Sequence, residues 1–508
     1  MNEENQNYFY QNSNNYLDSL EIQSSGLEQN SQYVWDNMSN SYSYYDILKN
    51  VQEFISNNYK EYFITGNKQH ISTSYSIGND RNNANSKSTY EDNIKDIIRR
   101  YIINNKIKCT NPSTVSSIIK TSDNEIENLV NSLYLDMAEF SFISVYLKMA
   151  DVLQLEEINI NSWDDIEIIA KGKKAKLREK FLSPQHAIDV VRRMLQQSDT
   201  VVDDGNPTAL GSLAKNTRIT VLKTPILDED VGVAASIRIV SASRISKETL
   251  SKNTATEEML DFLYNIVRYG ISVCIAGNTG SGKTSTANWL LSTIPSSKRI
   301  YTIEQGSREF DLVKKKDGKT INSVIHTLTK PSNDPKSDIT QQKLLDFALR
   351  FNPDVICVGE MRSEEAFAAQ EAARTGHTVI TTIHSKNAAG TYMRMTTLAK
   401  RAYEFSDETL MKLMIEAFPI IVYQHQLEDT SRKITEIIEG QDYKDGKVIY
   451  RTLYKYVVDD NVIQNGKKTV FGHFERVNGI SEELKNELMQ NGMPRNIANR
   501  FYKSTGKE

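Results

Sequence analysis

Gly277-Asn278-Thr279-Gly280-Ser281-Gly282-Lys283-Thr284 fills every specified position of the phosphate-loop pattern. Its glycines permit backbone conformations that a Cβ blocks, so successive N–H groups converge on phosphate oxygens. In such a loop Lys283 reaches the β- and γ-phosphates and the Thr284 hydroxyl ligates Mg²⁺, with Ser285 completing the nucleotide-binding stretch. The surroundings match. Ile271–Ala276 is an apolar run of strand length ending at the loop. Ala287, Leu290, Leu291 and Ile294 then fall on one helical face before Pro295. Strand, loop and helix N-terminus are what an anion site of this type requires, so the chain is expected to bind a nucleoside triphosphate.

A second group lies about 80 residues downstream. Val355-Ile356-Cys357-Val358 reads as a buried strand after the helix Gln342–Phe351 and the turn Asn352-Pro353-Asp354, and it ends at Gly359-Glu360. A carboxylate delivered there is placed beside Mg²⁺, partly through water, which is the role expected of Glu360. Arg362 is open between a salt-bridge partner and a subunit-contact residue. His377 and His384 bracket a third strand, Thr378–Ile383. Extended chain separates them by roughly 23 Å and the odd offset sends them to opposite faces, so they do not share a zinc ion. His384 is expected near the phosphates, and His377 in packing or an interface.

These residues need a scaffold, and the chain has the length for one. Its 508 residues have room for about three domains. Lys and Arg total 61 against 65 Asp and Glu, a net charge of −4 that gives no overall drive toward nucleic acid or anionic lipid. Three cysteines are too few and too scattered for a disulfide framework or zinc site. Cys274 and Cys357, inside apolar runs, read as buried thiols. No apolar run approaches the roughly 20 residues that span a bilayer, and the Asn-rich start lacks a signal peptide's apolar segment. An intracellular, multidomain protein is expected.

Residues 1–43, rich in Asn, Ser and Tyr, read as a disordered arm. Residues 44–153 read as a helical region, with a polar break through Ile77–Thr89. Residues 154–240 read as an α/β domain, with strands Arg218–Leu222 and Val233–Val240 and a helix begun by Ser183-Pro184. Ser241–Thr256 is a Ser/Thr-rich linker. Residues 257–425 alternate strands and helices around a parallel sheet, and 426–508 add strands and a closing helix near Glu482–Gln490.

The ordered motifs resemble the type II/type IV secretion ATPases, hexameric traffic motors that include pilus and conjugation ATPases. The closest branch is the CpaF-like ATPases of tight-adherence (Tad) pili. The resemblance covers about residues 150–500. It rests on the phosphate loop, Ile303-Glu304 opening an Asp box, Leu349-Arg350 to Val358-Gly359-Glu360-Met361-Arg362 as Walker B, and Thr375-Gly376-His377 to Thr382-Ile383-His384 as the His box. Thr435-Glu436-Ile437 and Phe471-Gly472-His473-Phe474 look similar too. The resemblance implies a RecA-like P-loop domain preceded by a mixed α/β, PAS-like domain and a small helical region. It implies that Glu304 orients or deprotonates the attacking water, that Glu360 is the Walker-B acid, and that His384 contacts the γ-phosphate region. Arg218 and Arg238 match positions that supply arginines to nucleotide; read from the residues alone they are merely exposed strand charges. One departure stands out. The family's Glu-Asp-x-x-Glu-Leu is here Glu304-Gln305-Gly306-Ser307-Arg308-Glu309-Phe310, with a non-ionising Gln305 and the second acid one residue late.

The implied activity is ATP hydrolysis to ADP and phosphate, with ATP and Mg²⁺ between the 154–240 domain and the P-loop domain. The implied protein is a cytoplasmic homo-hexamer, peripheral to the membrane, pushing on a polytopic inner-membrane platform protein to drive a pilus or export, with no nucleic acid. Two other classes stay open. A DNA-transfer ATPase sits poorly with the net charge and the lack of a dense Lys/Arg stripe. An ATP-sensing adaptor with little turnover is kept in play by the altered Asp box.

Overall fold

The computed structural model describes residues 40–59, 84–111, 124–198, 200–214, 216–239, 246–330, 337–402, 404–464 and 467–502. Residues 1–39 of the expected arm, 241–245 of the expected linker and the turn at Asn465-Gly466 lie outside them. The chain divides into two compact units, Met1–Ala242 and Ser243–Glu508.

In the first unit, α1 (Tyr44–Asn58), α2 (Ala84–Asn104) and α3 (Glu125–Ala138) bury Ile47, Val51, Ile98, Ile102, Val130 and Leu133 against one another. Ser43 and Asn124 cap α1 and α3 by accepting hydrogen bonds from first-turn N–H groups. Two expectations shift. Asn40–Tyr42, assigned to the arm, is a strand (β1) paired in parallel with β2 (Ile107–Cys109). The second helix starts at Ala84, inside the expected polar break. Two short helices, α4 (Ile143–Lys148) and α5 (Ala150–Leu153), lead to a six-stranded antiparallel sheet. Its strands are β3 (Leu155–Ile160), β4 (Ile166–Ala170), β5 (Lys173–Lys176), β6 (Thr208–Ala214), β7 (Thr217–Lys223) and β8 (Val233–Ile239), in the order β5-β4-β3-β8-β7-β6. The weakly β-forming Thr208–Ala214 gave no strand signal; pairing along β7 holds it. Helix α6 (Pro184–Gln196) lays Ala187, Val190, Val191 and Met194 on Ile219, Val221 and Ile237.

The second unit has a nine-stranded sheet. After α7 (Lys247–Asn253) and α8 (Glu257–Arg268) come β9 (Val273–Gly277), α9 (Lys283–Ser292), β10 (Arg299–Glu304), a small hairpin of β11 (Lys315–Lys316) and β12 (Lys319–Thr320), and β13 (Ser323–Leu328). Then follow α10 (Gln341–Ala348), β14 (Val355–Met361), α11 (Glu365–Arg374), β15 (Thr378–Ile383), α12 (Gly390–Ala399), α13 (Asp407–Ala417) and β16 (Ile420–Gln426). The chain closes with β17 (Arg432–Lys444), β18 (Lys447–Gln464), β19 (Lys467–Arg476), α14 (Glu482–Gln490) and α15 (Arg495–Tyr502). The linker expectation is thus corrected in part: Ser246 caps a helix, α7, in that stretch.

The strand order is β13-β10-β14-β15-β9-β16-β17-β18-β19. The first six run parallel, and β17–β19 continue the same sheet antiparallel. The central strands β9 and β15 are buried at every position, so they read as unbroken apolar runs rather than alternating ones. Alternate residues feed two cores. Val273, Ile275, Val355 and Cys357 pack with α8, α9, α14 and α15, while Cys274, Ala276, Ile356 and Val358 pack with α10 to α13. This is a RecA-like P-loop α/β fold, and it brings the C-terminal ends of β10, β14, β15, β9 and β16 to one edge, where such sheets bind ligands.

Candidate active site

The phosphate loop runs from the end of β9 to the start of α9. Gly280 (φ +76°) and Gly282 (φ +92°) occupy the left-handed region that side chains disfavour. Gly282 stands at the helix N-cap and offers no side-chain cap, so the first-turn N–H groups face the loop. The buried Lys283 donates to the carbonyls of Gly277 (3.0 Å) and Asn278 (2.8 Å) and lies 3.5 Å from His384 Nδ1.

His384 follows β15, the strand between the phosphate-loop strand β9 and the Glu360 strand β14. Its Nε2 is 3.3 Å from Glu360 Oε1, and Glu360 Oε2 accepts from Arg362 at 2.7 Å. Burial opposes ionisation of Glu360, but the Arg362 hydrogen bond and the charges of Arg362, His384 and Lys283 outweigh it, holding the carboxyl below the usual carboxylate range. Lys283, His384, Glu360 and Arg362 therefore form one continuous chain. Arg362 also meets Gln305 at 3.5 Å, the position where the resemblance led one to expect an aspartate.

Glu304 ends β10 only 2 % exposed, and its Oε2 accepts from the backbone N–H groups of Glu309 and of Phe310 (2.9 Å). Its Oε1 accepts from Thr302 at 3.1 Å and lies 3.6 Å from His326 Nδ1. Through these bonds Glu304 anchors the loop 305–310. Glu309, half-buried in that loop, adds its charge to the larger contribution of Glu360 in raising the pKa of the Arg362 guanidinium. His326, on β13, gave no sequence signal, because a lone histidine in a moderately polar strand looks like any other.

A match to the type II/IV secretion system protein family covers residues 203–451. Residues 203–451 thus carry the domain of the type II/IV secretion system protein family. An uncharacterized protein of Methanocaldococcus jannaschii, MJ0900, is 28% identical over 295 residues, 57% of this chain and 51% of that protein. This chain thus spans about half the length of that relative. The type IV secretion system protein VirB11 of Bartonella quintana is 26% identical over 50% of this chain and 80% of its own. Among solved structures, the ATPase DotB of Legionella pneumophila matches 71% of this chain and 86% of its own at 20% identity, with a TM-score of 0.43.

The remaining expected residues fall as follows. Asn278 holds a side-chain contact to His425 (3.1 Å), and Ser281 Oγ donates to the Asn278 carbonyl (2.8 Å). Thr284 sits in the first turn of α9, one residue before Ser285. A cavity of about 650 Å³ opens beside Gly277, Asn278, Thr279 and His384, bounded across by Lys386, Arg394 and Met393. His377 precedes β15 at the opposite end from His384 and takes no part. Arg218 and Arg238 face each other on β7 and β8, in line with Glu157 on β3, on the sheet face turned away from α6. Among the described residues, no helix is long and apolar enough to cross a membrane.

The residues fit Mg²⁺ and a nucleoside triphosphate. A Cβ at Gly277 would stand 2.0 Å from the Gln424 carbonyl oxygen, so the cradle tolerates only glycine there. Among the described residues no group of three or more His, Cys, Asp or Glu is gathered as a metal cage. Thr284 and Glu360 offer oxygen donors of the kind Mg²⁺ takes, few in number and completed by phosphate and water.

Proposed function

We propose that this chain is an ATP-hydrolysing motor of a type II/type IV secretion or Tad-like pilus machine. The observation that carries the reading is the unbroken line from the phosphate-loop lysine through His384 to Glu360 and Arg362. Backbone N–H groups of residues 278–285 and the Lys283 ammonium grip the β- and γ-phosphates. Thr284, with Glu360 through water, holds Mg²⁺, which when bound offsets charge on the transferring phosphoryl group. His384 stands between them, Nδ1 toward the Lys283 ammonium and Nε2 toward Glu360, and so holds the Glu360 carboxylate in place. Glu309, whose backbone N–H is held by Glu304, orients the attacking water. Arg218 and Arg238 are the candidates to bring further positive charge to the nucleotide.

In this reading six copies form a cytoplasmic ring, peripheral to the membrane. Cycles of binding and release move one domain against the other and act on a polytopic inner-membrane platform protein; no nucleic acid is involved. The test is direct. Calorimetric titration with Mg·ATP and phosphate-release assays are run on wild type and Lys283→Ala. Uptake and turnover by wild type, both lost in the variant, support the motor. Wild-type uptake with no phosphate released would replace it with an ATP-sensing adaptor, and stimulation by single-stranded DNA would replace it with a DNA-transfer ATPase. Light scattering of the nucleotide-loaded protein checks the ring.

A further inference from the structure

One hairpin moulds the phosphate loop. The end of β16 and the start of β17 lie against three of its glycines. A Cβ on Gly280 would stand 3.0 Å from Gln426 Oε1, and one on Gly282 would stand 2.9 Å from Gln424 Nε2 and 3.3 Å from Arg432 Cδ. Thr286 of α9 donates to Gln424 Oε1 at 2.8 Å, which ties the same hairpin to the helix behind the loop. Arg432, the first residue of β17, donates from Nε to the Gly280 carbonyl at 2.8 Å.

The base from which Arg432 reaches is itself fixed. Leu427 N–H bonds the Ser431 carbonyl at 2.8 Å, closing the turn. Asp429 accepts from the Ser431 hydroxyl (2.6 Å) and from the Val470 N–H on β19 (3.0 Å).

The consequence lies in peptide geometry. In a trans peptide the carbonyl and the following N–H point in opposite directions. Holding the Gly280 carbonyl toward Arg432 therefore turns the Ser281 N–H to the other side, where it lies 3.3 Å from the Asn278 carbonyl. Glycine peptides rotate easily, so a loop without this brace samples orientations that set a carbonyl dipole against phosphate. A guanidinium-to-carbonyl bond is charge-assisted and stronger than a neutral one.

We propose that Arg432 is a positioning residue for triphosphate binding, holding the Gly280–Ser281 peptide so that the Gly280 carbonyl stays turned toward the guanidinium and out of the phosphate cradle. The proposal rests on the reading that this loop grips a nucleoside triphosphate. Arg432 touches the loop and not the reacting atoms, so its contribution appears in affinity and not in the chemical step.

The experiment uses the full chain as wild type, Arg432→Ala, Arg432→Lys and Lys468→Ala, the last removing an exposed partner of Glu428 on the same hairpin surface. Mg·ATP affinity is measured by calorimetry, and KM and kcat by phosphate release. Arg432→Ala raises Kd and KM by on the order of tenfold with kcat within about threefold, Arg432→Lys recovers most of the loss, and Lys468→Ala matches wild type. The inference is overturned, with the phosphate-grip reading intact, if wild type binds and Arg432→Ala binds equally well. A fall in kcat at unchanged KM overturns it too, as does equal damage from Arg432→Lys and Arg432→Ala. Failure of wild type itself to take up ATP overturns the grip reading and this inference with it.

Discussion

His384 Nε2 and Glu360 Oε1 meet at 3.3 Å across the ends of two neighbouring parallel strands. β15 separates the phosphate-loop strand from the Glu360 strand, and His384, at the end of β15, stands between Lys283 and Glu360. Replacing His384 by Ala removes a side chain that touches both. Turnover is expected to fall by about 10²–10³, the range found when a preorganised polar donor is deleted, with a smaller change in KM. Steady-state kinetics check this, and a kcat within about threefold of wild type would remove His384 from the mechanism.

Glu304 and Glu309 separate structure from chemistry. Glu304→Gln retains shape but loses the charge that two backbone N–H groups share, so thermal or denaturant unfolding should show a loss of about 1–3 kcal/mol. Glu309→Gln should leave unfolding almost unchanged and depress turnover. Unfolding curves and phosphate release on both variants read the two effects apart. The reverse pattern, a stable but inactive Glu304→Gln beside an active Glu309→Gln, would restore Glu304 as the water-activating acid.

What the sequence showed and what it hid follow from how local each signal is. The phosphate loop was legible because its glycines, lysine and threonine are contiguous, and Glu360 because a buried strand ends at it. The role of Glu304 was not legible. Its partners, the N–H groups of Glu309 and Phe310, depend on how a six-residue loop folds back, and residue types do not encode that path. Arg432 was equally hidden. It lies about 150 residues from Gly280, and only the parallel pairing of β16 with β9 brings its hairpin over the loop. The six-stranded sheet lost one strand in the sequence reading because Thr208–Ala214 is held by its neighbour and not by its own propensity.

Asp136 is the polar centre of the first unit. It is fully buried on α3, accepts from the Tyr44 hydroxyl of α1 at 2.6 Å, and lies 3.7 Å from His186 Nε2 of α6. Its backbone carbonyl accepts from Arg193 at 2.7 Å. Asp136→Ala removes the carboxylate that accepts from the Tyr44 hydroxyl and faces the buried Arg193, whose bond to the backbone carbonyl is kept. It should cost about 3–5 kcal/mol, as is usual when one partner of a buried charged cluster is removed. Denaturant unfolding of the purified chain checks the value, and a loss below about 1 kcal/mol would show that water reaches the cluster.

His186 makes that same cluster sensitive to pH, in a direction opposite to that of an ion-paired histidine. Burial pushes its pKa down, against the pull of Asp136, with Arg193 adding to the fall and Asp189 opposing it. Its Nδ1 already accepts from the Leu182 N–H at 3.2 Å, which also favours the neutral ring. The folded chain therefore refuses a proton that the unfolded chain accepts near its ordinary value of about 6.5. Stability from this group is complete above about pH 6.5 and declines as the pH falls toward the lower folded value. Glu360, also depressed, loses its contribution only when the pH drops through its own folded pKa, which lies under the usual carboxylate range and outside this window. Unfolding free energies at pH 7.5 and 5.5 should thus fall for wild type and fall less for His186→Gln. Equal slopes in the two proteins would mean that His186 is protonated as readily in the fold as out of it.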